Sequence, residues 1–166
     1  MSLALAAVAA VAAALLQSSV VPFVEIGGAS PDLVLIVVLL WAAFGGLDGA
    51  MLAAFLGGIV VDALMLRPLG STSFALLIAA GAMSPVGRLG TRARLPIVVA
   101  AAFGLAFLTA LLEFLVYGAL AGPIPAPDPI GSVLPDAIYT TALFIVALPI
   151  VVALHRRFGE QERVAW

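Results

Sequence analysis

The stretch GGIVVDALMLRPLG, residues 57–70, sets a carboxylate, Asp62, five residues ahead of a guanidinium, Arg67, in an otherwise apolar run. Three roles fit such an acid: an ion pair that closes a turn within the chain, a site facing another protein, or a site for a ligand. Residues five apart on an ideal helix point about 140° from one another, so the internal pair requires the chain to turn at Pro68. Glu113 and Asp136 also lie in apolar segments, but with Asp62 they show neither paired catalytic acids nor metal-ligand spacing. The sole histidine, His155, adjoins Arg156 and Arg157 and reads as interfacial. With no cysteine there is no disulfide framework, thiolate metal site or cysteine nucleophile. With no lysine, a phosphate-binding glycine loop of the usual kind cannot form. The residues point away from an enzyme and require neither metal nor cofactor.

The elements that must position these residues follow from composition. Hydrophobic residues make up 64% of the 166 and charged residues 10%, and mean hydropathy is +1.28. A soluble domain of this length could not cover that surface, whereas lipid can solvate it once backbone groups are paired within helices. The strict alternation of a membrane barrel is missing. All seven basic residues are arginine, the net charge is −2, and no basic stripe suits nucleic acid. The apolar runs predict an all-α, polytopic membrane protein. It is a single transmembrane domain over 1–166, a compact bundle of six helices at about 3–24, 32–47, 49–66, 71–87, 96–120 and 133–154.

Local signals set these bounds. The first run lacks a positive leader and is long enough to span, so it reads as a retained helix. Ser30-Pro31-Asp32 reads as N-cap, first-turn proline and first-turn acid of the second helix. The third ends where Arg67 precedes Pro68, and Ser71 reads as the cap of the fourth. Four prolines within GPIPAPDPIGS, 122–132, are expected to allow neither helix nor paired strand, and Pro149 to kink the sixth helix.

Arg88, Arg92 and Arg94 follow the fourth helix, and Arg156, Arg157 and Arg163 follow the sixth, which puts both groups on one side. Taking that side as cytoplasmic places both termini there. Six acids, Glu25, Asp32, Asp62, Glu113, Asp128 and Asp136, then gather at the outer side with Arg67. Asp62 would lie roughly 6 Å from the outer end of its helix, at the interface. Ala50, Ala54, Gly58 and Asp62 recur every fourth residue beside Gly49, Ala53 and Gly57, a small-residue face suited to close helix packing, either within the chain or against a partner helix. Ala6, Ala10 and Ala14 form a similar run on the first helix.

The succession of a Gln-Ser tail on the first helix, SPDLVLIVVLL, a glycine-containing inner turn and GGIVVDALMLRPLG followed at once by an apolar helix resembles MreD, the rod-shape-determining membrane protein family. The likeness is concentrated in residues 17–80. It implies a non-enzymatic scaffold of the bacterial elongation machinery in the inner membrane. The implied partners are the bitopic MreC protein and, through it, MreB filaments, RodA and a class B penicillin-binding protein. Pro31, Asp32, Gly57, Gly58, Asp62, Arg67, Pro68 and Gly70 are the candidates for structural or partner contact. The family fold is similar to the substrate-binding membrane subunit of energy-coupling-factor importers, which makes a vitamin or metal importer subunit the alternative. A packing face of small residues and a bundle without a soluble domain both fit the scaffold.

Overall fold

The computed structural model describes residues 3–25, 28–88, 94–121 and 129–159. Among these the regular structure is helical: α1 Leu3–Ser19, α2 Leu33–Leu40, α3 Leu47–Leu64, α4 Ser71–Gly87, α5 Arg94–Ala121 and α6 Pro129–Gly159. A 3₁₀ turn, Val21–Phe23, follows α1, and a π-helical turn, Trp41–Gly45, continues α2.

Among the described residues four segments are long and apolar enough to cross a membrane: Leu3–Phe23, Leu47–Leu64, Leu95–Val116 and Val133–Ala153. The apolar helices Leu33–Gly45 and Ser71–Gly87 are shorter. At 1.5 Å per residue the former reaches only about 20 Å, less than the roughly 30 Å of hydrocarbon. Six spans are expected; six helices are present among the described residues, and four of them are long enough to span.

The shortest helix is central. α2 touches α1, α3, α4 and α6, and its sequence LVLIVVLL is apolar on every side, as a helix buried all round must be. Val34, Leu35, Ile36, Val38, Leu39 and Leu40 are buried, and the core continues into Trp41, Ala42 and Ala43.

Small residues let the neighbours close on it. α1 lies on α3 with Ala6, Ala10 and Ala14 fully buried. The adjacent glycines of α3 serve different neighbours. A Cβ on Gly57 would stand 2.6 Å from Val34 Cγ1 of α2 and 3.3 Å from Ala10 Cβ of α1. One on Gly58 would stand 2.5 Å from the Ser73 backbone of α4. Gly87 meets the Ala43 backbone in the same way. Both small-residue faces are thus packed inside the bundle, against its own helices.

The helix starts also differ from expectation. α2 is capped by Asp32 itself, whose carboxylate accepts from Leu35 N–H at 2.9 Å, while Ser30 N–H donates to Asp136 at 2.7 Å. Ser71 is the first residue of α4 rather than its cap, and the cap position falls on Gly70 at φ +93°. α5 begins two residues before Pro96, and α6 begins at Pro129 within the stretch expected to resist helix. Proline is tolerated in a first turn, where N–H groups lack helical partners anyway. Residues 122–128 of that stretch lie outside the described residues.

Candidate functional site

At the end of the bundle opposite the chain termini, called distal here, α1, α3 and α5 finish while α2, α4 and α6 begin. The first N–H groups of a helix have no partner within it, and those of α2 and α4 find acceptors on protein side chains. For α2 these come from its own cap and from two other helices. Besides the Asp32 cap, Gln17 of α1 accepts from Val34 N–H at 3.1 Å, and Thr140 of α6 accepts from Asp32 N–H at 3.0 Å.

For α4 the acceptor is Asp62. Its carboxylate accepts from Gly70 N–H at 2.7 Å, from Thr72 N–H at 3.3 Å to each oxygen, and from the Ser71 hydroxyl at 3.3 Å. A negative group at a helix N-terminus meets both unpaired N–H donors and the positive end of the helix dipole. The acid is fully buried within the bundle, with its carboxylate turned to the start of α4.

The turn between α3 and α4 is built around the same acid. Arg67 N–H reaches back to the Asp62 carbonyl at 2.8 Å, and Leu66 takes φ +53°. This is the Schellman closure of a helix, with leucine at the left-handed position where glycine is usual. Pro68 is exposed, and its carbonyl accepts from Ser71 N–H at 3.1 Å.

The Arg67 guanidinium forms its ion pair with Glu113 of α5, Nη1 to Oε2 at 2.8 Å. The side-chain tie expected between Asp62 and Arg67 thus divides in two: the acid caps α4 and the base crosses to α5. Arg67 still bonds Asp62, but through the backbone.

These groups enclose a cavity of about 100 Å³, lined chiefly by Gln17, Asp32, Arg67, Glu113, Asp136 and Thr140. Its walls come from α1, the start of α2, the α3–α4 turn, α5 and α6. Three carboxyls face one guanidinium there, so the cavity accepts hydrogen bonds and positive charge better than it donates. Among the described residues no group of three or more His, Cys, Asp or Glu is placed to hold a metal ion.

Of the residues singled out in the sequence, Pro31, Asp32 and Arg67 meet at this cavity. Asp62, Pro68 and Gly70 build the turn beside it, and Gly57 and Gly58 lie away from it in helix packing. Sequence reasoning passed over Gln17 and Thr140, and saw no cluster in Glu113 and Asp136. The available signal was a polar side chain inside an apolar helix, which marks a buried partner wherever it occurs.

A family model described as rod shape-determining protein MreD matches residues 2–158. No curated protein and no solved structure matches the chain. The importer alternative, and the likeness to the importer fold, draw no support from these comparisons.

Proposed function

This chain belongs to the MreD family of rod shape-determining bacterial membrane proteins, and on that footing we propose that it acts without enzymatic chemistry, as an inner-membrane scaffold of the cell-elongation complex. The supporting observation is the family match over nearly the whole chain. In this reading it binds an MreC-like protein with a single membrane helix, and through it RodA, a class B penicillin-binding protein and, indirectly, MreB. All six helices cross the membrane as one domain, and both termini are cytoplasmic, which makes the distal end the outer one.

In this reading the partner engages surfaces that the bundle leaves uncovered. Faces of small residues are filled by the chain's own helices, so a partner is left with large lipid-facing side chains and the distal end. There the cavity adjoins a turn whose Leu66 and Leu69 are 92% and 74% exposed. A segment emerging from a single membrane helix would reach that level.

Coexpression with an MreC-like protein and recovery from membranes in mild detergent tests this reading. Copurification is expected, and deletion of either gene should round a rod-shaped cell. Absence of copurification together with unchanged cell shape on deletion would refute it. Single cysteines introduced at Ala126 and Ala93 test the orientation: an impermeant thiol reagent should reach the first from outside and the second only after the membrane is opened.

A further inference from the structure

A second cavity, of about 250 Å³, lies between α1, the end of α2 and α6. Leu5, Ala9, Val37, Leu40, Trp41, Phe44 and Val151 line it, and not one carries a charge. It sits toward the opposite end from the polar cavity, where α1 begins and α2 and α6 approach their ends.

Three features specify an occupant. The groove is larger than the roughly 150 Å³ apolar cavities that take up benzene, and it opens into the hydrocarbon layer, since Leu5 is 51% exposed while Leu40 and Trp41 are buried. Its width is one side-chain row on each helix, with Ala9 leaving the space on α1, which suits a single hydrocarbon chain better than a second helix. The end of the bundle at which it lies carries more basic than acidic positions among the described residues: Arg88 follows α4, whose Gly87 packs on Ala43 of the π-helical turn, Arg156 and Arg157 follow Val151 within two turns of α6, and Asp48 in the first turn of α3 is the acid there. Basic residues at the end of a groove between membrane helices attract anionic headgroups.

We propose that this groove is a lipid site, which takes one acyl chain of an anionic phospholipid and places its headgroup at the arginine-bearing end of the bundle. The π-helical turn shapes it by carrying Trp41 and Phe44 to its wall, a setting in which such turns recur at functional sites.

Trp41 makes the site directly readable, because lipids brominated along the acyl chain quench a nearby indole. The protein has two tryptophans, and Trp166→Phe leaves Trp41 as the single reporter. Reconstituted into phosphatidylcholine vesicles, this protein should be quenched by brominated phosphatidylglycerol about fivefold more effectively than by brominated phosphatidylcholine, the ratio that one basic residue near an anionic headgroup sustains. Arg88→Gln, Arg156→Gln and Arg157→Gln together should remove that preference and leave quenching by phosphatidylcholine unchanged. Ala9→Leu, which fills the groove, should lower quenching by both lipids. Equal quenching by the two headgroups, a preference that survives the arginine replacements, quenching indifferent to Ala9→Leu, or no quenching would each overturn the assignment. None of these readouts depends on an MreC-like partner, so the lipid site and the scaffold reading stand or fall separately.

Discussion

Replacing Asp62 tests the account of the distal end most directly. Its carboxylate is fully buried and serves Gly70 N–H, Thr72 N–H and the Ser71 hydroxyl. Asp62→Asn preserves volume but exchanges one acceptor oxygen for an NH₂ group, and either amide orientation turns a donor toward a donor. The loss of one hydrogen bond to a charged group is worth about 1.5–3 kcal/mol. Removing the negative charge from the start of α4 adds up to ~1 kcal/mol. The two effects overlap, so a cost of about 2–3 kcal/mol is expected. Asp62→Ala strands every donor and should cost about 3–4 kcal/mol. Equilibrium unfolding in mixed micelles of increasing dodecyl sulfate content, followed by circular dichroism, measures both. A double-mutant cycle then separates the two arrangements. Arg67 should couple to Glu113, its ion-pair partner, by at least ~0.5 kcal/mol, and less strongly to Asp62. Stability of Asp62→Asn within ~0.5 kcal/mol of the parent, or a stronger coupling of Arg67 to Asp62 than to Glu113, would refute the reasoning.

Two further outcomes follow from backbone geometry. Gly58→Ala should destabilise by about 1–3 kcal/mol and exceed Gly57→Ala, because its new methyl meets the Ser73 backbone whereas the other meets chiefly the Val34 side chain. Gly104→Ala, with nothing within 4 Å, should instead stabilise by roughly 0.5–1 kcal/mol through helix propensity, and the same unfolding assay ranks all three. Leu66→Gly should raise stability by about 1 kcal/mol, since it relieves a left-handed backbone at a side chain that buries almost nothing; a loss would show that the leucine has a contact partner within the folded chain.

Apolar runs and breakers were enough to find all six helices, because in lipid each span must satisfy its own backbone and composition reports that need locally. Their ends were less legible. Ser30 and Ser71 have the chemistry of caps, yet the acceptors come from Asp32 and Asp62, and Asp62 lies eight residues before the N–H group it binds at Gly70. A cap supplied across a turn leaves no fixed spacing to read. The Arg67–Glu113 pair spans 46 positions and the Ser30–Asp136 bond 106, distances that only the packing order of the helices determines. Gly57 and Gly58 were visible as a small-residue face, but which neighbour each admits depends on the helices beside α3.

The placement of the polar residues has one physical cause with two results. The first N–H groups of α2 and α4 take Gln17, Asp32 and Asp62 as acceptors at the distal end, where Asp136 and Thr140 also accept from the backbone leading into α2. Caps made by side chains from several helices cannot pack as closely as the alanine and glycine faces nearer the middle, and the space left among them is the polar cavity. The acids that the sequence sets apart are therefore committed first to folding. What they leave for a partner is the Arg67–Glu113 pair, about one-quarter exposed on each side chain, beside the exposed turn that carries Leu66 and Leu69. A partner that engages this end meets a turn already fixed from below by Asp62 and from the side by Glu113, so it binds a preformed surface and spends little of its affinity on ordering it.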